Sequence, residues 1–514
     1  MILPPAAVLT GFDQNPLSGK TETIPHSRDP VRSKKGVNAA LQEVKEVRND
    51  FSKGPMWQVI LKMSIPMMMA QLVNVLYNVV DRMYIGHIEH VGAMALTGLG
   101  LSMPVISVIT AFANLCGNGG GPLCAIARGE GDKEKAERYM GNTFVLALGI
   151  GAVLTVLLSV FLKDLLYFLG ASEQTFPYAS EYLRIYLLGT MFVMISLGMN
   201  AFINAQGFAK TGMLTVVLGA VVNIVLDPFF ILSRGEKLFG VITMPFGLGL
   251  GIAGAAWATL IAQFCSAAWV IRFLFSKKAI LDLRPKSMRL QAKTVGRILG
   301  LGVTGFVMGI TNGLVQSACN IQLQRYGGDL YVGVMTVINS VKELAFLVVH
   351  GLASGAQPVL GFNYGAKKYD RVRTGIRFFC VGSLLYACTV WLLSITIPGA
   401  LIRIFNQDPA LLRAGIPSIR IYFCGFMFMS MQSAGQCVFV GLGKAKYAVT
   451  FSLLRKVVIV LPLVFLLPLI PGMGVNGVFW SEPISDMLGG GACFLTMWFT
   501  VYKKMTREEA LQTN

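Results

Sequence analysis

One apolar segment of the sequence carries a stripe of amide and carboxylate side chains. The stripe comprises Gln71, Asn74, Asn78 and Asp81. At 100° per residue these positions fall within about 80° of one helix face. A charge at the centre of a membrane helix costs on the order of 2.5–3.5 kcal/mol, so Asp81 needs a functional reason. The three amides of the stripe are candidates for the wall of a substrate cavity.

Two later apolar segments add further oxygen ligands. Asn223 and Asp227 stand four positions apart and so share a helix face, and Thr259 follows in the next segment. Two carboxylates with amide and hydroxyl oxygens nearby could bind Na⁺ or exchange a proton. We therefore predict a coupling-cation site at Asp81, Asn223, Asp227 and Thr259. The simpler interpretation is that Asp81 and Asp227 only pair with Arg82, with helix ends or with loop cations.

The second half of the chain repeats this theme of polar groups on apolar segments. One stripe comprises Asn339, Glu343, His350 and Gln357, within about 40° of one helix face. The last apolar segment carries Glu482 and Asp486, four positions apart. We take Asn339, Glu343 and Asp486 as further substrate-cavity candidates. The alternative for Glu343 is simple neutralisation by the adjacent Lys342.

Other kinds of chemistry find no support in the residues. The sequence has no G-x-x-x-x-G-K-[ST] phosphate loop, only four histidines, and nine cysteines without a C-x-x-C pair. It offers no nucleophile–base constellation, so we expect no enzyme and no cofactor apart from the coupling ion. The glycine-rich residues 117–121 are expected to end a membrane helix as a hinge or tight loop.

The elements that position these residues must lie in a membrane. Of 514 residues 54% are hydrophobic and 14% are charged, whereas soluble proteins carry about 25% charged residues. The charges are 44 Lys and Arg against 26 Asp and Glu. No basic helix recurs to bind nucleic acid, and retention of Lys and Arg in cytoplasmic loops explains the excess instead. The composition indicates an all-α polytopic membrane protein.

Twelve apolar stretches are long enough to cross about 30 Å of hydrocarbon. They are predicted at 57–85, 94–115, 141–162, 178–203, 211–232, 251–275, 297–324, 331–358, 373–398, 416–440, 446–470 and 475–502. Basic residues concentrate in the loops on one side, above all in the linker 276–296. The positive-inside rule therefore places this linker and both termini in the cytoplasm of a multi-pass cell-membrane protein.

Matched segments divide the chain into two halves. Arg184-Ile185-Tyr186 with Gly189 recurs 236 positions later as Arg420-Ile421-Tyr422 with Gly425, and Gly129 maps onto Gly365 at the same offset. Six helices per half predict two lobes related by a pseudo-two-fold axis along the membrane normal, with a cavity between them. The predicted divisions are a polar, disordered tail (1–55), an N-lobe (56–275), the linker (276–296), a C-lobe (297–502) and a C-terminal tail (503–514).

Several of these segments together resemble the multidrug and toxic compound extrusion (MATE) family, in the form that Firmicute bacteria carry. The matching runs are Val80-Asp81-Arg82-Met83-Tyr84-Ile85-Gly86, Asn223-x-x-x-Asp227-Pro228, Gly251-Ile-Ala-Gly254-Ala-Ala-Trp-Ala-Thr259 and Gln357-Pro358-x-x-Gly361-x-Asn363-Tyr364-Gly365-Ala366. The resemblance covers roughly residues 55–500. The first 55 residues have no counterpart in the family core.

The resemblance implies a secondary active multidrug efflux antiporter that exports small organic cations in exchange for Na⁺ or H⁺ by alternating access. It places the family's N-lobe cation site on Asp81, Asn223, Asp227 and Thr259. The predicted helix 7 lacks the carboxylate that some members use for a C-lobe site, so that site is not carried over. We expect a monomer in contact with membrane lipids.

Two other function classes compete with the antiporter. The first is a flippase for a lipid-linked oligosaccharide or another anionic lipid, from the same broad superfamily. A flippase for such a lipid needs cationic side chains in the cavity. This hypothesis would be favoured if Arg184, Lys342 and Arg420 pointed into the cavity. The second class is a membrane enzyme or a channel. The paired six-helix halves favour alternating access over a static pore.

Overall fold

The computed structural model describes residues 50–86, 88, 92–235, 237–238, 242–243, 246–405 and 408–506. Within these ranges, nine continuous helices and two sharply bent helix pairs are long and apolar enough to cross a membrane. One of the nine, Ala292–Gly365, holds two crossings on either side of Gly328. Counting these crossings separately gives the twelve predicted spans, which we number α1–α12.

The N-lobe contains the first six spans. They are α1 Met56–Gly86, α2 Gly92–Gly129, α3 Lys133–Val160, α4 Phe176–Leu188 continued by Thr190–Ala205, α5 Ala209–Ile231 and α6 Gly251–Leu274. A short helix, Leu162–Phe168, precedes α4. Between α5 and α6 the two-residue strands β1 (Lys237–Leu238) and β2 (Ile242–Thr243) pair antiparallel, with Lys237 opposite Thr243.

The C-lobe contains the other six spans. They are α7 (292–327), α8 (329–365), α9 Tyr369–Thr396, α10 Pro409–Phe423 continued by Phe426–Gly441, α11 Ala445–Leu469 and α12 Gly474–Thr506. A 3₁₀ turn, Pro285–Met288, precedes α7, and a short helix, Pro398–Arg403, precedes α10. Between α7 and α8, Gly328 adopts φ 66° and ψ −166°, a conformation that side chains exclude and that turns the chain back.

The two bent spans break at equivalent glycines of the repeat. The halves of α4 meet at 58° at Gly189, and those of α10 meet at 45° next to Gly425. The Pro483 backbone of α12 occupies the space that a side chain at Gly425 would need. The repeat seen in the sequence therefore corresponds to a shared local geometry, and the predicted two-lobe, twelve-helix arrangement is confirmed.

Residues 117–121 are helical and lie inside α2. The prediction that they end the helix as a hinge is wrong. A Cβ atom at Gly119 would clash with the Ile298 carbonyl of α7, and one at Gly120 would clash with Phe202 of α4. The glycines are needed because α2 lies too close to α4 and α7 to leave room for side chains at these positions.

The lobes meet through two equivalent helix pairs, α2 with α7 and α8 with α1. In the first pair Gly119 faces Ile298 and Gly302 faces Leu115; in the second Gly355 faces Ser64 and Gly351 faces Met68. In every case a Cβ atom on the glycine would overlap with the facing residue. The repeat offset of 236 positions relates these contacts, because it maps position 115 of α2 onto 351 of α8 and position 119 onto 355.

The linker between the lobes lies against the ends of α3 and α4. The Asn142 amide donates to the carbonyls of Ser287 and Arg289, both at 3.0 Å, and Gln206 accepts from the Ile280 amide at 2.8 Å. We call this end of the bundle the linker side.

Part of the predicted N-terminal tail also packs on the linker side. Phe51 is buried, and its ring centroid lies 5.5 Å from that of Phe362. Asn363 and Arg371 donate to the Phe51 carbonyl at 3.1 and 3.0 Å. The tail prediction otherwise falls on residues 1–49, which lie outside the described residues.

Candidate functional site

The N-lobe holds a buried cluster of four oxygen-bearing side chains. Asp81 comes from α1, Asn223 and Asp227 from α5, and Thr259 from α6, and their exposed fractions are 6%, 1%, 0% and 4%. The Asn223 amide nitrogen donates to Asp227 Oδ1 at 3.1 Å and to Thr259 Oγ1 at 3.4 Å. The Asp81 and Asp227 carboxyl groups lie close enough to influence each other electrostatically.

Three oxygens of this cluster have no hydrogen-bond partner among the described residues. They are Asp81 Oδ1, Asn223 Oδ1 and Asp227 Oδ2. Leaving a buried polar atom without a partner costs about 1–3 kcal/mol, and more for a charged group. Three buried acceptors without partners, two of them on carboxyl groups, form a site that a cation or a proton would stabilise.

Local sequence features position these groups. Asn223 and Asp227 share one face of α5 because they stand one helical turn apart. Pro228 cannot donate a backbone hydrogen bond to the carbonyl four residues earlier, which loosens α5 at the site. Tyr182, in the first half of α4, lies near Asp81 and Thr259, so this half-helix borders the cluster.

Neither Asp81 nor Asp227 forms a salt bridge in the described part of the chain, and Arg82 is exposed. The interpretation in which Arg82 simply neutralises these carboxylates thus finds no contact in the structure.

The nine cysteines are all free thiols.

A cavity of about 280 Å³ opens beside the cluster. Gln71, Asn74, Asn223 and Thr259 line it. Asp81 and Asp227 are not among the residues that line it. The third predicted amide, Asn78, turns back on its own helix and donates to the Asn74 carbonyl at 2.7 Å.

A larger cavity of about 720 Å³ occupies the C-lobe. The whole stripe predicted on helix 8 lines it: Asn339, Glu343, His350 and Gln357. The Asn339 amide donates to Gln316 of α7 at 2.9 Å, which ties the two cavity walls together. Asn118, Ser354 and Gln357 line both cavities, so the two are contiguous.

The remaining candidate, Asp486, is buried against Arg455 of α11, with which it forms an ion pair. Arg455 and its neighbour Lys456 line the C-lobe cavity, and the sequence interpretation passed over both. Their signal was visible, because two consecutive basic residues in the middle of an apolar span carry the same energetic cost as an acidic one. Both stand in a π-helical stretch, 454–460, which directs them towards α12.

The three cations that would favour a lipid substrate lie in different places. Lys342 lines the C-lobe cavity. Arg184 is exposed, and Arg420 is exposed with its Nε donating to the Ile395 carbonyl at 3.1 Å. One of the three residues therefore reaches the cavity.

Comparison with known proteins gives one family and a consistent set of relatives. Residues 66–229 and 286–466 match the MatE family model. The multidrug export protein MepA of Staphylococcus haemolyticus (strain JCSC1435) is 25% identical over 465 residues, which cover 89% of this chain and 96% of the relative. MepA of Staphylococcus aureus (strain MRSA252) is 24% identical over 461 residues, which cover 88% and 95% of the two chains.

Solved structures share the fold. An outward-facing multidrug resistance MATE family transporter of the MOP superfamily superposes with a TM-score of 0.79 at 23% identity, covering 88% of this chain and 97% of that one. A MATE structure in the bent conformation gives a TM-score of 0.80 at 23% identity, covering 89% and 98%.

Proposed function

The chain belongs to the MatE family, and we propose that it is a secondary active multidrug exporter that moves organic cations out of the cell in exchange for Na⁺ or H⁺. The observation that carries this proposal is the set of three orphaned oxygens at Asp81, Asn223 and Asp227. Carboxyl groups buried in a membrane lobe without a cationic partner are costly, and such groups typically mark an ion or proton pathway.

The donor set fits either coupling ion. Carboxylate, amide and hydroxyl oxygens are the ligands that hard cations prefer, and Na⁺ would be held by Asp81, Asn223, Asp227 and Thr259. A proton would instead reside between the two carboxyl groups. In both cases the site gains one positive charge on loading and loses it on unloading.

Coupling follows from the position of the site beside the N-lobe cavity. Asn223 and Thr259 belong to both the cluster and the cavity wall, so a bound ion changes the charge that a substrate meets. Cation binding would favour one arrangement of the lobes and substrate binding the other, which is the thermodynamic requirement for antiport.

The contact between the lobes supports alternating access. On the linker side Gly119 of α2 lies against Ile298 of α7, and Gly355 of α8 lies against Ser64 of α1. If the linker side is cytoplasmic, as its basic residues favour, this arrangement is closed to the cytoplasm. We further propose that the protein acts as a monomer in the cell membrane, with both termini in the cytoplasm.

Transport into liposomes tests the proposal. Purified protein would be reconstituted, a Na⁺ gradient and a pH gradient imposed in separate experiments, and uptake of the fluorescent cation rhodamine 123 recorded. We expect one of the gradients to drive accumulation and protein-free liposomes to show none. The absence of a response to both gradients would contradict the antiport mechanism.

A flippase remains the second candidate because Lys342, Arg455 and Lys456 line the C-lobe cavity. The same liposomes can test it with a fluorescent phosphatidylglycerol whose outer-leaflet population is quenched by dithionite. Protein-dependent loss of protected lipid, without any rhodamine 123 uptake, would favour the flippase over the multidrug exporter.

A further inference from the structure

The C-lobe contains a buried group of charges that the cation-coupling site does not use. The group comprises Lys342 of α8, Arg455 and Lys456 of α11, and Glu482 and Asp486 of α12. Arg455, Lys456, Glu482 and Asp486 are buried. Lys342, Arg455, Lys456 and Glu482 line the 720 Å³ cavity.

Glu482 is the centre of the group. Its Oε1 accepts from Lys456 Nζ at 2.8 Å and lies 3.7 Å from Lys342 Nζ, and its Oε2 lies 3.6 Å from Arg455. Arg455 also forms the ion pair with Asp486. Glu482 is thus surrounded by three cations, while Asp486 neutralises one of them.

Lys342 is the cation of this group that is most open to a ligand. The group holds three cations and two carboxylates, so one cation lacks a partner of its own. Of the three cations, Lys342 is the most exposed, with 22% of its side chain accessible. Its short hydrogen bond, 2.7 Å, goes to the hydroxyl of Tyr422, which is neutral.

The cavity around Lys342 also offers acceptors. Glu343 is exposed on the same wall and makes no ion pair within the described residues. Gln432 and Gln436 of α10 are buried in the lining, and the Oε1 atom of each lacks a hydrogen-bond partner. A ligand that suits this cavity therefore carries a negative group for Lys342 and N–H donors or a positive group for the acceptors.

We propose that the C-lobe cavity is a subsite for amphoteric substrates and that Lys342 binds their carboxylate group. The inference rests on the proposed export function and adds a charge class to its substrates. The ammonium of Lys342 donates to a carboxylate oxygen, and the exposed carboxylate of Glu343 on the same wall attracts the cationic part of the same molecule. Substrate-free Lys342 is held in place by Tyr422 and Glu482.

A matched pair of dyes tests this assignment. Rhodamine 110 carries a free carboxylate, and rhodamine 123 is its methyl ester, so the two differ in the group that Lys342 would bind. Kd for each dye is measured by fluorescence anisotropy on the purified full-length protein and on the K342Q and K342R variants. Lys342→Gln keeps Glu482 paired with Lys456 and Arg455, so the buried carboxylate does not lose its partners.

We expect Lys342→Gln to raise the Kd of rhodamine 110 by about ten-fold or more, the range of a hydrogen bond between charged groups. The Kd of rhodamine 123 should be unchanged or lower, and Lys342→Arg should retain rhodamine 110. Sodium benzoate should compete with rhodamine 110 and not with rhodamine 123. Equal weakening of both dyes, or none, would overturn the proposal.

Two outcomes separate this inference from the proposed function. If wild-type protein exports rhodamine 123 but does not bind rhodamine 110, the carboxylate subsite is wrong and the exporter stands. If it neither binds nor exports either dye, the exporter itself is contradicted. Competition by phosphatidylglycerol vesicles without competition by benzoate would overturn the subsite in favour of a lipid headgroup.

Discussion

Gly129 of α2 and Gly365 of α8 face each other across the lobe boundary. Each glycine lies against a backbone carbonyl of the other helix, three residues before the other glycine. A Cβ atom on Gly129 would clash with the Phe362 carbonyl, and one on Gly365 would clash with the Ile126 carbonyl. The two glycines are 236 positions apart, as are the two carbonyls. The pseudo-two-fold axis therefore passes between them, and at these two glycines the lobes approach each other at backbone distance.

Replacing either glycine should prevent the lobes from closing on the linker side. In Gly129→Ala and Gly365→Ala the added methyl group occupies the space of a backbone carbonyl, which cannot move aside as a flexible side chain would. We expect transport to be lost and the state open on the linker side to become dominant. Spin labels at Lys210→Cys on α5 and Lys446→Cys on α11, in a background without the nine native cysteines, would report a longer distance.

The control for this substitution is Gly149→Ala on α3. No atom lies within 4 Å of the Cβ position there, so the same methyl group should leave both the spin-label distance and transport unchanged. If the spin-label distance lengthens in all three variants, the effect comes from substituting any helical glycine. It then does not come from the contact between Gly129 and Gly365.

The carboxylates of the cation site should be separately required for ion coupling. Asp81→Asn and Asp227→Asn each remove one of the two carboxyl groups and leave Asn223 in place. We expect the gradient-driven uptake of rhodamine 123 to fall by about ten-fold or more, as for loss of a charge-assisted contact. Asp164→Asn, an exposed acid on the short helix after α3, should transport normally. Normal uptake by the Asp81→Asn, Asp227→Asn double variant would sink the proposed site.

The ion pair between Arg455 and Asp486 should matter for stability more than for transport. Arg455→Met leaves the buried Asp486 carboxylate without a cation, which is expected to cost about 3–5 kcal/mol. Adding Asp486→Asn removes that charge, so the double variant should recover most of the lost free energy of unfolding. Such recovery is typical when both members of a buried ion pair are replaced. Thermal unfolding in detergent measures both effects. Arg403→Met, at an exposed position, is the control, and equal melting of the single and double variants would contradict this account.

The turn between α7 and α8 depends on a glycine. Gly328 has φ 66° and ψ −166°, and no atom lies within 4 Å of its Cβ position. Gly328→Ala is therefore opposed by the backbone conformation alone and should destabilise the protein by about 1–3 kcal/mol. Gly313→Ala, at an open helical position of α7, should be neutral or slightly stabilising. Equal melting temperatures for the two variants would show that the turn tolerates a side chain.

The sequence by itself determined the number of spans, their order and their division into two lobes. A membrane span must satisfy its own backbone and present an apolar surface, so each crossing leaves a long hydrophobic run in the sequence. The repeat fixed the equivalence of Gly189 with Gly425, at which both bent helices break. The rule that an intramembrane charge needs a reason also selected Asp81 and Asp227, because isolated acids stand out on apolar helices.

Only the tertiary structure decided which polar groups meet and why certain glycines are needed. Residues 117–121 looked like a loop because glycine is a poor helix former, yet they allow α2 to reach two other helices at backbone distance. The sequence suggested that Asp486 lines the cavity. In the structure it pairs with Arg455, which belongs to another helix and stands in a π-helical turn. Such contacts depend on how the helices rotate and cross, which periodicity along one helix does not contain.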